Sequence, residues 1–378
     1  MKPIYLDYNA TTPIAKEVAD AMLPYLYDLF GNPSSSHQAG AQAKMAVEFA
    51  RRQVADLIGA QPTEIIFTSG GTEANNHAVR GYCELHQDKG RHIVTSAVEH
   101  PAVLEVCRDL ERNGFELTIL SVDPYGQVNP HDLEAAIRAD TILISIMHAN
   151  NEVGTLQPLK ELTSIAKSHG IAFHTDAAQS IGKIAVNVNN LGVDLLSIAG
   201  HKLYAPKGVG ALYVRDGIFV KNLMYGAGHE NGKRPGTENI LEIVGLGKAS
   251  AVAARDLSAN QQHLISMREF LYDELVKALG VERLRVNGHP SQRLPNTLSL
   301  GIHGIESHQL LNRINHQVAI SAGSACHADS VTISGVLKAM QVPDVWAQGT
   351  LRFSVGRETT GEEIREAVTI IRSVILEN

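Results

Sequence analysis

The sequence predicts an α/β protein: a mostly parallel, seven-stranded sheet covered by helices on both faces, followed by a smaller α+β unit. Three observations predict this. From about residue 50 onward, short apolar runs alternate with segments of helical periodicity, the pattern that builds a parallel sheet layered between helices. After Gly236-Thr237-Glu238-Asn239 the alternation stops, and a long helical stretch from Ile240 to Leu279 carries no strand. At 378 residues the chain has room for one large and one small unit, each with its own core.

The elements follow in order. Ala41–Ile58 repeats apolar residues at helical spacing and stops at Gly59. Glu64–Thr68 is a strand, and Ser69-Gly70-Gly71-Thr72-Glu73 turns it into a helix beginning near Ala74. His92–Thr95 is a strand, followed by a helix from Pro101, since proline is favoured at a first helical position. Leu117–Leu120 and Thr141–Met147 are strands, Leu159–Ser168 is a helix, and Ala172–Thr175, Leu195–Ala199 and Val209–Val214 complete the set. Beyond the long helix, Asn296–Leu300, Val318–Ser321 and Thr350–Ser354 read as strands and a terminal helix starts near Thr360. The patterns place a smaller α+β unit after the large one, with the helix near 240–279 as connector; the large unit is expected at residues 14–250 and the small unit at 1–13 plus 251–378.

Composition narrows the function. Apolar content of 44% and charged content of 19% are those of an ordinary globular protein. A net charge of −7 argues against general nucleic-acid binding. Since no apolar run approaches the roughly 18 residues that span a bilayer, no membrane segment is expected. The start lacks a signal-peptide core, and three widely spaced cysteines (Cys83, Cys107, Cys326) without a CxxC fit a reducing cytoplasm and no zinc site.

The chemistry gathers at the carboxyl ends of the strands, where open α/β sheets bind ligands. Lys202 stands in the turn between two apolar strands. A lysine desolvated there loses its preference for the ammonium form and can serve as a Schiff-base nucleophile; a solvated turn lysine is the plainer reading. Asp176 closes another strand. By itself it is as readily a helix cap, but an acid at one strand end and a lysine at another meet the needs of pyridoxal phosphate, a carboxylate for the ring nitrogen and an amine for the aldehyde. The Ser69–Glu73 turn can cradle a phosphate on backbone N–H groups, with the Thr72 hydroxyl adding a bond. It is neither a dinucleotide fingerprint nor a P-loop. His100 can stack on a flat ring and shuttle protons, though it is one of 17 histidines. Asn151 follows the strand Thr141–Met147, where it can hydrogen-bond a cofactor ring hydroxyl or a carboxylate, or simply serve the turn. Cys326 lies in a run of small and polar residues, Gly323 to Gly335, whose composition suits a mobile loop with an ionisable thiol.

The motifs resemble, nearly end to end, the NifS/IscS family of pyridoxal phosphate-dependent cysteine desulfurases, fold type I of the aminotransferase superfamily. The resemblance rests on Leu6-Asp7-Tyr8-Asn9-Ala10-Thr11-Thr12-Pro13, Gly31-Asn32-Pro33-Ser34-Ser35, Phe67–Asn76, Val98-Glu99-His100 and Ala149-Asn150-Asn151-Glu152. It continues in Thr175–Gln179, Gly200-His201-Lys202, Arg234-Pro235-Gly236-Thr237, Ser321–Cys326 and Leu351–Arg357. It implies that Lys202 links to the cofactor and moves the substrate Cα proton, with His100 stacking on the ring and assisting proton transfer. Asp176 would hold the ring nitrogen and Gln179 the phenolic oxygen. Gly71, Thr72 and His201 would hold the phosphate, and Thr237 would reach the phosphate of a neighbouring subunit in a homodimer. Asn151 and Arg352 would hold the substrate carboxylate, and Cys326, on a loop at about 323–336, would take the sulfur as a persulfide for an acceptor protein. One departure stands out: the position before Gly200 is commonly a phosphate-bonding serine in the family, and here it is Ala199.

The substrate stays open at this stage between L-cysteine and L-selenocysteine. Cys326-His327-Ala328-Asp329 is similar to the loop start of animal selenocysteine lyases, whereas the spacing from Cys326 to Arg352 fits ordinary long-loop desulfurases. An aminotransferase without sulfur chemistry would leave Cys326 unused. A non-enzymatic scaffold for sulfur acceptors would leave Lys202, Asp176 and His100 without purpose.

Overall fold

The computed structural model describes residues 3–327 and 330–376, and gives the backbone alone for 324–327 and 330–332. Its central sheet has seven strands in the spatial order Ile65–Thr68, Gly210–Val214, Leu195–Ala199, Ala172–Asp176, Thr141–Ser145, His92–Ser96, Glu116–Leu120. Only Gly210–Val214 runs against its neighbours; the remaining pairings are parallel. The reason is connection length. A parallel return needs a crossover of roughly a dozen residues or more, usually with a helix. The segment from Gly200 to Val209 holds only a short 3₁₀ turn before the chain folds back.

Alternate strand residues feed two cores. Phe67, Val94, Ile144, Phe173, Leu196, Ile198 and Tyr213 pack with helices Gln38–Ile58 and Leu159–Ser168 on one face. Ile66, Ile93, Leu143, Leu195 and Leu212 pack with helices Gly71–His86 and Pro101–Arg112 on the other. Six of the seven strands are buried along their length, as the short apolar runs foretold, and the edge strand Glu116–Leu120 is partly exposed.

The helix Ile240–Leu279 is 40 residues long, about 60 Å at 1.5 Å per residue. Asn239 caps its start by accepting from Glu242 N, and Gly280, at φ 84°, ends it. Its first half (Ile243, Leu246, Ala249, Ala253) belongs to the core beneath the large sheet. Its second half (Leu264, Leu271, Leu275, Leu279) joins a separate core with Ile4, Leu6, Leu298, Leu300, Phe353 and Ile364. That second core lines an antiparallel sheet ordered Ser321–Ala322, Thr350–Ser354, Thr297–Ile302, Leu284–Asn287.

Two readings of the sequence are corrected here. Val318–Ser321 is not one strand: Val318–Ala319 pairs in parallel with Ile4–Tyr5, and Ser321–Ala322 pairs with Arg352 and Leu351. The small, polar run after Gly323 is a hairpin rather than a loop in its backbone, with Ser324–His327 paired to Ser330–Ile333 and Cys326 opposite Val331. Among the described residues, no helix is long and apolar enough to cross a membrane.

Candidate active site

A cavity of about 270 Å³ opens at the carboxyl ends of the central strands. Gly71, Thr72, His100, Asn151, Asp176, Gln179, His201 and Lys202 all line it, with Asn75, Ala199 and Met147 between them. They arrive from five strand ends. Gly71 and Thr72 open the helix after Ile65–Thr68. His100 caps the helix after His92–Ser96, its Nδ1 accepting from Ala102 N at 3.1 Å. Nδ1 therefore carries the lone pair, and the neutral ring bears its proton on Nε2. Partial desolvation keeps the His100 pKa below its ordinary value, the pull of Asp176 being opposed by Lys202.

Asp176 ends its strand with 7% of its surface exposed. Its Oδ2 accepts from Asn75 Nδ2 at 2.7 Å and its Oδ1 from Ala178 N at 2.9 Å. It has no ion-pair partner among the described residues. A buried carboxylate held only by neutral donors is costly unless a cation arrives, and a protonated pyridine nitrogen would be that cation. Lys202 sits in the 3₁₀ turn Gly200–Lys202 directly after Leu195–Ala199. Gly200 is required there, because a Cβ would lie 2.8 Å from Val209 O. Burial brings the Lys202 amine down to about 8, helped by Arg352 and resisted by Asp176 and Asp7. Its Nζ donates to Asn9 O at 2.7 Å.

The phosphate end also fits. The helix Gly71–His86 points its N-terminus at the cavity. Gly71 is bare on this side, where a Cβ would stand 3.1 Å from the Ala199 methyl. His201, lowered to about 4 by burial and the nearby lysines, stays neutral and keeps an N–H to offer, its Nδ1 3.2 Å from Thr11 Oγ1. These residues would hold pyridoxal phosphate by ring nitrogen, aldehyde and phosphate at once.

Three candidates lie away from the cavity lining. Arg352 stands behind Asn151, with one terminal nitrogen donating to Asn151 O at 3.1 Å and the other to Asp7 Oδ1 at 2.8 Å and Ser321 Oγ at 3.0 Å. Its Nε is buried and unpartnered, a donor open to a carboxylate. Thr237 is exposed, on the segment before the long helix. That segment is pinned by two ion pairs. Glu230 takes both terminal nitrogens of Arg51, on helix Gln38–Ile58, at 2.7 Å and Phe67 N at 2.8 Å, and Arg234 pairs with Glu73 of the phosphate turn. The side chain of Cys326 lies outside the described residues. The other cysteines are buried, with thiols that burial pushes far up for Cys83 and up to about 12 for Cys107, so neither supplies a thiolate.

Sequence reasoning gave no role to Asn75, Asn9, Lys183 or Glu152. Asn75 follows Thr72 by three positions, which puts both on one helix face, and that spacing was the available signal. Glu152 bonds Ser334 Oγ at the end of the Cys326 hairpin, with a carboxyl raised by burial. It thereby ties the Asn151 turn to the hairpin base.

The model of aminotransferase class V matches residues 4–366. The chain belongs to the aminotransferase class-V family. It is 48% identical over 375 residues to cysteine desulfurase IscS of Dictyoglomus turgidum, covering 99% of this chain and 95% of that protein. With the IscS of Methanosarcina thermophila the identity is 46%, over 99% and 92%. Among solved structures, a NifS-like protein superposes with a TM-score of 0.93 at 35% identity, covering 100% of both chains. A structure of SspA in complex with cysteine superposes at 0.82 with 36% identity, over 95% of this chain and 100% of that one.

Proposed function

We propose that the protein is a pyridoxal phosphate-dependent cysteine desulfurase, converting L-cysteine to L-alanine and passing the sulfur to Cys326. The observation that carries this is the cavity in which a desolvated Lys202 faces a buried, cation-free Asp176, in a chain about half identical to cysteine desulfurases along its whole length. When bound, the cofactor withdraws electrons from the substrate Cα.

The chain's own residues supply the rest. Asp176 would keep the ring nitrogen protonated. Gln179 would hold the phenolic oxygen, and Gly71, Thr72 and His201 the phosphate, joined by Thr237 of the partner subunit in a homodimer. Arg352 and Asn151 orient the substrate carboxylate. Lys202 would hold the cofactor and serve as the base for the substrate Cα proton. Its lowered pKa leaves enough neutral amine near pH 7–8 for this. His100, its proton on Nε2, moves protons at the cavity mouth. The Cys326 thiolate attacks the substrate sulfur, so an S–S bond forms while the substrate C–S bond breaks. The electron pair of that bond stays on the carbon, which takes a proton to give alanine. The enzyme keeps the persulfide for a sulfur-acceptor protein, a cytoplasmic delivery that accords with the unpaired cysteines.

Measuring alanine and sulfide from L-cysteine, and alanine and selenide from L-selenocysteine, tests the reading. Lys202→Ala should abolish both. Cys326→Ala should abolish cysteine turnover, and survival of that turnover would refute the persulfide step and favour the selenocysteine lyase.

A further inference from the structure

Behind the cavity lies a lysine that the reaction described above does not use. Lys183 is 7% exposed, and its Nζ meets only neutral oxygens, Gln179 Oε1 at 2.8 Å and Asn9 Oδ1 at 3.3 Å. No carboxylate pairs with it among the described residues. Burying an amine without a counter-ion is unfavourable, and burial, with Lys202 and Arg352 nearby, holds its pKa well below the ordinary lysine value. A methionine would fill the same space more cheaply, so the amine is retained for what it touches.

What it touches is the oxygen of the Gln179 amide. The nitrogen of that amide donates to Asn9 O at 3.0 Å. Turning the amide over would set its nitrogen against the Lys183 donor and its oxygen against the Asn9 carbonyl, two mismatches in a buried site. Lys183 and Asn9 O together admit one orientation, which leaves one N–H of Gln179 free at the cavity wall. Asn9 O is shared with Lys202, so it is the weaker constraint while Lys202 bonds it. We propose that Lys183 is a positioning residue that locks Gln179 with its N–H, not its oxygen, toward the ring oxygen of the bound cofactor.

The inference rests on the reading of Gln179 and Lys202 as cofactor residues. A donor on the ring oxygen holds negative charge there and makes the neighbouring Lys202 linkage less basic. Its loss raises the pH at which that linkage gives up its proton. The charged groups facing the linkage are Arg352, Asp176 and Asp7, with His100, His201 and Lys183 beside it; of these only Lys183 is altered by the variants below, and the double variant separates its charge from its hydrogen bond.

The test is a pH titration of the visible absorption of the cofactor-loaded protein. Gln179→Leu should raise the midpoint. Lys183→Met should raise it by about half to one unit, the size of one ordinary hydrogen bond. In the Gln179→Leu background, Lys183→Met should add nothing, because its effect passes through the amide. An unchanged midpoint in Lys183→Met alone overturns the proposal and leaves the Gln179 reading standing. A shift that persists in the double variant also overturns it, showing that Lys183 acts by its charge. No shift in any variant overturns the proposal and the Gln179 reading together. Should Lys183→Met not fold, Lys183→Leu, which also removes the donor, enters the same cycle under the same criteria.

Discussion

Lys202→Met should make the cofactor-free protein more stable than the wild type at pH 7, and the gain should fade as pH rises. Burial lowers the Lys202 pKa from 10.5 to about 8. The folded protein therefore releases this proton at lower pH than the unfolded chain does. Between pH 8 and 10.5 the unfolded state binds more protons, so stability increases with pH across that window. Below pH 8 the native state bears the full penalty, about 3 kcal/mol for a shift of this size at 1.36 kcal/mol per unit. Methionine, of similar length and uncharged, removes it. The wild-type deficit should then shrink by about 2–3 kcal/mol from pH 7 to pH 10. Urea denaturation of both cofactor-free proteins at pH 7, 8, 9 and 10 measures this, and groups that titrate in both proteins cancel in the difference to first order. Parallel stability curves, or a gap that widens with pH, would refute the claim that this amine is held desolvated for chemistry.

Ala199→Ser should restore a hydroxyl beside Gly71 and tighten cofactor retention about five-fold, one hydrogen bond of roughly 1 kcal/mol, read as the Kd of the cofactor-free protein for pyridoxal phosphate. Arg51→Met should cost about 3–5 kcal/mol in chemical denaturation, because it strands Glu230 buried against Phe67 N. Arg352→Lys keeps the charge but loses the planar fork, and should raise KM for L-cysteine about ten-fold or more with a smaller change in kcat, in steady-state alanine formation.

Much of this architecture was legible because burial leaves a periodic trace. The helix Ile240–Leu279 was readable in its approximate extent from an uninterrupted helical pattern, and the structure adds the Asn239 cap and the Gly280 stop that set its ends. The strands of the large sheet were readable because all but the edge strand Glu116–Leu120 are buried on both faces. The smaller unit was harder. Leu284–Asn287 is an edge strand with partly exposed residues and gives little contrast. Val318–Ser321 looks like one strand, yet a single residue, Ile320, separates pairings to two different partners. Strand partnership is a long-range property, and local pattern does not carry it.

The site shows the same division more sharply. Lys202, Asp176 and the Gly71–Thr72 turn were visible because their chemistry is unusual for their places at strand ends. What holds them is ordinary in type, and so was silent. Asn9 illustrates this. Its N–H goes to Ser354 Oγ and its Nδ2 to Thr297 Oγ1, both on strands of the smaller sheet. Its carbonyl receives Lys202 and Gln179, and its Oδ1 receives Lys183 and Asn296. One asparagine thus joins the sheet that bears Arg352 to the lysine and the glutamine beside the cavity. The orientation of Lys202 depends on the smaller sheet being folded in register, which explains why the first residues of the chain pack into that sheet's core while their polar atoms serve the large one. Catalytic competence in this fold is then a property of the joined pair of sheets, and a large unit expressed without residues 1–13 would keep Lys202 but lose the acceptor that aims it.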